Sequence, residues 1–157
     1  MKDDILIRNE NSLIGKHKSE HEPYEYTKYE VTTQGEFSQC YVAVYEIPPM
    51  KSNYPYHYHT NNTEVFYIIS GQGILRTPNG ERVIKPGDII VCPPSEYGAH
   101  KIMNNSQTEP LKYIDFDTTN SPDIIRYPDS DKTGIFIRNQ SNTVFRNDDK
   151  TSYYDGE

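Results

Sequence analysis

The sequence predicts an all-β fold, and three observations carry that reading. Its apolar residues fall in short runs rich in Val, Ile, Tyr and Phe. Turn-forming pairs and triplets separate the runs: Pro48-Pro49, Gly71-Gln72-Gly73, Pro78-Asn79-Gly80, Pro86-Gly87-Asp88 and Pro93-Pro94. No stretch carries the 3.6-residue apolar stripe of an amphipathic helix; one helical turn at residues 123–126 is the most that is expected.

Residues 1–34 form an N-terminal extension, charged and polar, with apolar patches only at Ile5-Leu6-Ile7 and Leu13-Ile14. That is too little to fold alone, but it suits pairing with a sheet edge. His17 and His21 are four apart, a helical metal spacing, yet Gly15, Pro23 and the missing stripe make both solvated. Weak alternation over residues 24–31 predicts a first strand. Residues 37–47 read as a stronger one, because Tyr41-Val42-Ala43-Val44-Tyr45 is rich in β-formers. Strands follow at residues 57–59 and 65–70. Ile74-Leu75-Arg76 opens a hairpin that turns at Asn79-Gly80 and returns over residues 81–85. Residues 89–92 are near-continuously apolar and are read as a central strand. His100, Ile102 and Asn104 share one face of the next strand, and residues 112–116 alternate as a late one. Beyond Thr118 the chain becomes a C-terminal extension, residues 119–157, with short strands expected at 133–138 and 143–146. Phe136, Phe145, Tyr153 and Tyr154 are expected to pack on the rest of the chain or on a partner subunit, because free rings would expose apolar area.

Composition excludes several classes. A chain of 157 residues fits one domain. The net charge is −7 and Lys and Arg do not cluster, which argues against a nucleic-acid partner. No apolar segment approaches the roughly 20 residues of a membrane span, and Met1-Lys2-Asp3-Asp4 does not open a signal peptide. Cys40 and Cys92 are too few for a disulfide framework; Cys92 reads as a small buried hydrophobe. A cytoplasmic protein is expected. The sequence carries no phosphate-cradling glycine loop, dinucleotide fingerprint or nucleophile triad.

The chemistry concentrates in residues 57–104. Alternate strand residues share a face, so His57 and His59 project the same way, about 7 Å apart along the strand. Imidazole is the commonest protein ligand of transition metals. Thr60-Asn61-Asn62-Thr63 has turn chemistry, since Asn tolerates left-handed backbone and bonds locally. A turn there returns Glu64 beside the histidines, with Glu64, Phe66, Ile68 and Ser70 facing one way and Val65, Tyr67 and Ile69 the other. An inward carboxylate at the head of an apolar strand is costly unless it is paired or metal-bound. His100 adds a third imidazole from a later strand. His57, His59, Glu64 and His100 are therefore the candidate metal ligands. Alone, a His-x-His pair is more often two solvated histidines; the coincidence of all four residues with turn-bounded strands favours the metal. No catalytic acid or base stands out. Asn104 either bonds behind a ligand or opens the loop that follows it.

These motifs resemble the cupin superfamily. The first cupin motif is matched by His57-x-His59, four residues, Glu64, six residues and Gly71. The second is matched by Gly87, five residues, Pro93, and by His100, three residues and Asn104. One departure stands out: the histidine follows that proline by seven residues rather than five, so the Pro94–Tyr97 stretch implies a longer rim loop. The resemblance implies a double-stranded β-helix, the cupin or jelly-roll barrel, over residues 35–118. It implies a divalent transition metal (Mn, Fe, Co, Ni or Zn), a small-molecule ligand or substrate, and a homodimer. Cupins with this ligand set include oxygenases, decarboxylases and isomerases; a non-catalytic binding or sensing barrel is the alternative.

Overall fold

The structure, a computed structural model, describes residues 4–33, 36–37 and 39–157. Met1 to Asp3, the expected barrel start at 35 and Ser38 of the expected 37–47 strand lie outside the described residues. Among the described residues thirteen strands are formed: β1 (Lys16–His21), β2 (Tyr24–Glu30), β3 (Cys40–Ile47), β4 (Tyr58–His59), β5 (Glu64–Ser70), β6 (Gly73–Thr77), β7 (Gly80–Ile84), β8 (Ile89–Cys92), β9 (Lys101–Met103), β10 (Leu111–Thr118), β11 (Asp123–Tyr127), β12 (Lys132–Phe136) and β13 (Thr143–Arg146). Helical structure among the described residues is confined to single 3-10 turns. None is long and apolar enough to cross a membrane.

The strands order as β1-β2-β3-β10-β5-β8 in one sheet, β13-β12-β11-β4 in a second and β7-β6-β9 in a third. An antiparallel bridge between His57 and His100 joins the second and third sheets, whose edges there are β4 and β9. The result is a two-layer β-barrel of jelly-roll type.

Alternation decides which residues fill it. On β5, Glu64, Phe66 and Ile68 are buried, while Tyr67 and Ile69 face out. Ala43, Tyr45 and Ile47 of β3 and Leu111 and Tyr113 of β10 meet them, and Leu75, Ile84 and Ile102 close the core from the third sheet. Ile47, Ile68 and Leu111 are fully buried, and each contributes roughly 1.5–3 kcal/mol of transfer free energy. Gly71 turns the chain at φ +78, where a Cβ would stand 2.2 Å from the Pro110 carbonyl oxygen. Glycine is thus required there by both backbone angle and space.

Several elements differ from the sequence reading. β8 is the sheet edge and not a central strand: Ile89 and Val91 are 70% and 61% exposed, and only Ile90 and Cys92 turn inward. A continuous apolar run meant burial of both faces, but half of this one covers only the outer surface. Residues 123–126 form β11 and no helical turn, because they pair with β12 and β4. In the N-terminal segment, the polar strand β1 takes the sheet edge, while Ile5 and Ile7 stay exposed. His17 and His21 lie on that exposed strand. At the other end, Phe136 is half-buried, whereas Tyr153 and Tyr154 are exposed and meet each other edge-to-face.

Candidate metal centre

The loop from β4 to β5 is held by polar side chains, as its composition suggested. Asn62 Oδ1 accepts from the Asn120 amide at 2.6 Å and from the Thr118 hydroxyl at 3.1 Å. The Thr63 amide donates to Thr118 Oγ1 at 2.9 Å. These bonds bring Glu64 back beside His57 and His59. The strand β9 delivers His100 from the other side, through the bridge to His57.

All three imidazoles aim Nε2 at the Glu64 carboxylate. His100 Nε2 lies 3.2 Å and His57 Nε2 3.7 Å from Oε2, and His59 Nε2 lies 3.4 Å from Oε1. Ligand atoms of His57, His59 and Glu64 all lie within 4.8 Å of one another. Behind them, each Nδ1 has an acceptor: Pro55 O for His57 at 2.8 Å, Gly98 O for His100 at 2.9 Å and Asp123 Oδ2 for His59 at 2.5 Å. A carbonyl only accepts, so Nδ1 of His57 and of His100 carries the hydrogen and each Nε2 keeps its lone pair. This is the tautomer that a metal-binding histidine uses.

Burial opposes a charge on Glu64, but the surrounding imidazoles of His100, His57 and His59 hold its carboxyl well below the usual range. Burial likewise opposes a charge on His59, but Asp123 and Glu64 outweigh it and push the imidazole up to about 10. His100 has no second carboxylate, and burial lowers it to about 4. Without metal, His59 is thus the proton carrier of the cluster. Three nitrogens and one oxygen, with no thiolate, fit a divalent transition metal such as Mn, Fe, Co, Ni or Zn.

His57, His59 and Glu64 lie on the wall of a cavity of about 410 Å³ between the six-stranded and four-stranded sheets. Asp115 and Asp117 of β10 line the same cavity. Asp117 is the ladder partner of Glu64, and ligand oxygens of Glu64, Asp115 and Asp117 lie within 4.8 Å of one another. Asp115 is 4% exposed. Burial, the neighbouring Asp117 and Glu64 raise its carboxyl well above the usual range. Burial and then Glu64 push Asp117 up to about 7.

Other candidate positions serve structure. Asn104 donates to Ile47 O and Glu109 O and accepts from the Ser106 amide, all at 2.9 Å, so it pins the loop after β9. Ser70 is exposed at the end of β5. The extra residues before His100 fold as a 3-10 turn, Glu96–Gly98, and the Ser95 amide donates to His59 O at 2.9 Å. The rim loop therefore buttresses a ligand strand.

The cupin domain profile matches residues 43–117, a span containing all four candidate ligands. Residues 43–117 are thus a cupin domain. An uncharacterised protein of Methanocaldococcus jannaschii is 35% identical over 68 residues, 43% of this chain and 52% of that one. This cupin thus spans about half of that relative. Among solved structures, a candidate sugar phosphate isomerase from Acidithiobacillus ferrooxidans superposes with a TM-score of 0.77 at 24% identity, covering 90% of each chain. A sugar phosphate isomerase from Silicibacter pomeroyi gives 0.75 at 18%, covering 92% of this cupin and 95% of that chain. A predicted oxalate decarboxylase from Thermotoga maritima gives 0.64 at 19%, covering 73% and 100%. At these identities, the likeness establishes the shared barrel.

Asp115, Asp117 and Asp123 were not singled out by sequence reasoning. For the first two, a signal existed: Tyr113, Asp115 and Asp117 alternate on one face of β10. For Asp123 there was none, because its partner His59 is 64 residues away.

Proposed function

We propose that this cupin is a metal-dependent enzyme that isomerises a small hydroxy-carbonyl compound by moving a proton between adjacent carbons. The observation that carries this reading is the carboxyl pair of buried Asp115 and half-buried Asp117, on the same cavity wall as Glu64. Two carboxyls raised by burial and by Glu64 keep a proton between them near neutral pH, so one can give while the other takes. Dioxygen chemistry does not call for such a pair. The names of two structural relatives, both sugar phosphate isomerases, point the same way.

His57, His59, Glu64 and His100 would hold the metal, which supplies Lewis-acid polarisation of a carbonyl when bound. The carboxylate of the Asp pair removes the proton from the carbon beside that carbonyl, and the carbonyl oxygen gains one. Returning a proton to the former carbonyl carbon and withdrawing one from the neighbouring hydroxyl completes the shift, with no net change in protons or electrons. Tyr45, stacked on Tyr113 at 5.3 Å, and Tyr54 line the same cavity, with their hydroxyls bonded to each other at 3.0 Å.

Metal-loaded protein incubated in D2O with small aldoses and ketoses should exchange the hydrogen beside the carbonyl, read by NMR. Asp115→Asn and Asp117→Asn should each slow exchange at least a hundredfold with metal content retained. Absence of exchange with every aldose and ketose, under each of the five metals, would sink the isomerase reading.

A further inference from the structure

Among the described residues, three buried side-chain oxygens have no hydrogen-bond partner: Asp115 Oδ1, Asp117 Oδ1 and Thr119 Oγ1. All three residues lie on one stretch of chain, β10 and the residue after it, and all line the cavity. Buried acceptors without donors are costly, so a row of them in a cavity implies that the donors arrive with a ligand. The Lys and Arg that line the cavity are already partnered along its wall. Lys28 Nζ lies 3.2 Å from Glu30, and Arg138 donates to Thr119 O. An ionised carboxylate brings no hydrogen-bond donors, and a carboxylate or phosphate would meet the negative charge that Asp115 and Asp117 share.

We infer that the Asp115–Asp117–Thr119 wall is a subsite for adjacent hydroxyl groups of an uncharged polyol, and that it disfavours anionic ligands such as sugar phosphates or oxalate. Hydroxyls donate to both aspartates, and the Thr119 hydroxyl both accepts and donates. The inference rests on reading this cavity as a substrate site. It separates this cupin from structural relatives named for sugar phosphates and oxalate.

The test uses cobalt-loaded full-length protein and three probes: ribitol, ribitol 5-phosphate and oxalate. Ribitol has no carbonyl and cannot be isomerised, so its binding is measured apart from turnover, and failure here is distinct from failure of the isomerase reading. Calorimetry should show ribitol binding at least tenfold more tightly than either anion. The double variant D115N/D117N should weaken ribitol at least tenfold and strengthen oxalate, while its cobalt content and visible spectrum, which report the fold, stay unchanged. The inference is overturned if ribitol does not bind, if either anion binds more tightly, or if the double variant leaves ribitol affinity unchanged. It is equally overturned if the unchanged protein holds two cobalt ions and the variant one, since the carboxylates would then be cation ligands.

Discussion

His57 and His100 exchange both backbone hydrogen bonds: His57 N donates to His100 O at 3.1 Å, and His100 N donates to His57 O at 2.9 Å. Such a directly bonded antiparallel pair places its side chains on one face. The two rings stand 4.8 Å apart, centroid to centroid. The seam between two sheets is therefore also the fixed spacer between two candidate ligands.

Metal uptake should release protons from His59. Its folded-state value of about 10 lies above the ordinary 6.5, so the metal-free protein carries a charged imidazole at neutral pH. A metal must displace that proton, and apparent affinity should rise roughly tenfold per pH unit up to about pH 10. The sign reverses for metal-free stability. A raised value stabilises the fold fully below 6.5, and that contribution is lost as pH climbs towards 10. Calorimetry in buffers of different ionisation heat checks the first, and chelator-treated melts against pH check the second. Metal binding at pH 7 without proton release would count against it.

Asp123→Asn should weaken the metal site without touching a ligand. Asp123 Oδ2 orients His59 through Nδ1, and Oδ1 accepts from the Asn61 amide at 3.0 Å. Loss of such a supporting carboxylate typically costs about 10–100-fold in metal affinity. Proton release on binding should fall at the same time, because one of the two carboxylates that raise His59 is gone. Competition with a chromogenic chelator measures the affinity.

Gly98→Ala should damage both fold and site. A Cβ at Gly98 would stand 1.9 Å from the Pro93 carbonyl oxygen, so the backbone itself must move. The Gly98 carbonyl is also the acceptor for His100 Nδ1. A loss of about 1–3 kcal/mol in stability is expected for such overpacking. Weaker metal binding should accompany it, whereas Gly80→Ala, with nothing within 4 Å of its Cβ, should leave metal affinity unchanged.

Tyr113→Phe should destabilise the barrel by about 1–3 kcal/mol in a denaturant titration. Tyr113 is fully buried, and its hydroxyl accepts from Asn53 Nδ2 at 2.5 Å. Removing the oxygen leaves that amide donor buried and unpaired. The ring itself, stacked on Tyr45 and edge-on to Phe66, stays in place, so metal content should not change.

The inward face of β5 was legible because its period-two alternation begins at a carboxylate: Glu64, Phe66 and Ile68 turn in as the pattern requires. The spacing of two motifs pointed to the three imidazoles that stand around Glu64. β8 misled, since Ile89-Ile90-Val91 looks the same at an edge as at the centre of a sheet, and only the order of strands distinguishes them. β1 was invisible, being polar and exposed along its length; it is held by its ladder to β2 and by contacts such as Lys16 with Glu30. Asp123 could not be found because local pattern carries no information about a partner in another sheet.

Asp123 also bears on how interchangeable such barrels are. All four candidate ligands fall within residues 43–117, the span shared with other cupins, but Asp123 lies outside it on β11. A relative could keep every ligand and differ in the strand that follows. Its middle histidine, left with the glutamate alone, would then shed its proton at lower pH, and the protein would load metal in a more acidic compartment. Transplanting the motif span alone would therefore move the ligands without their acid–base setting, and the working pH would be inherited from the strand that receives it.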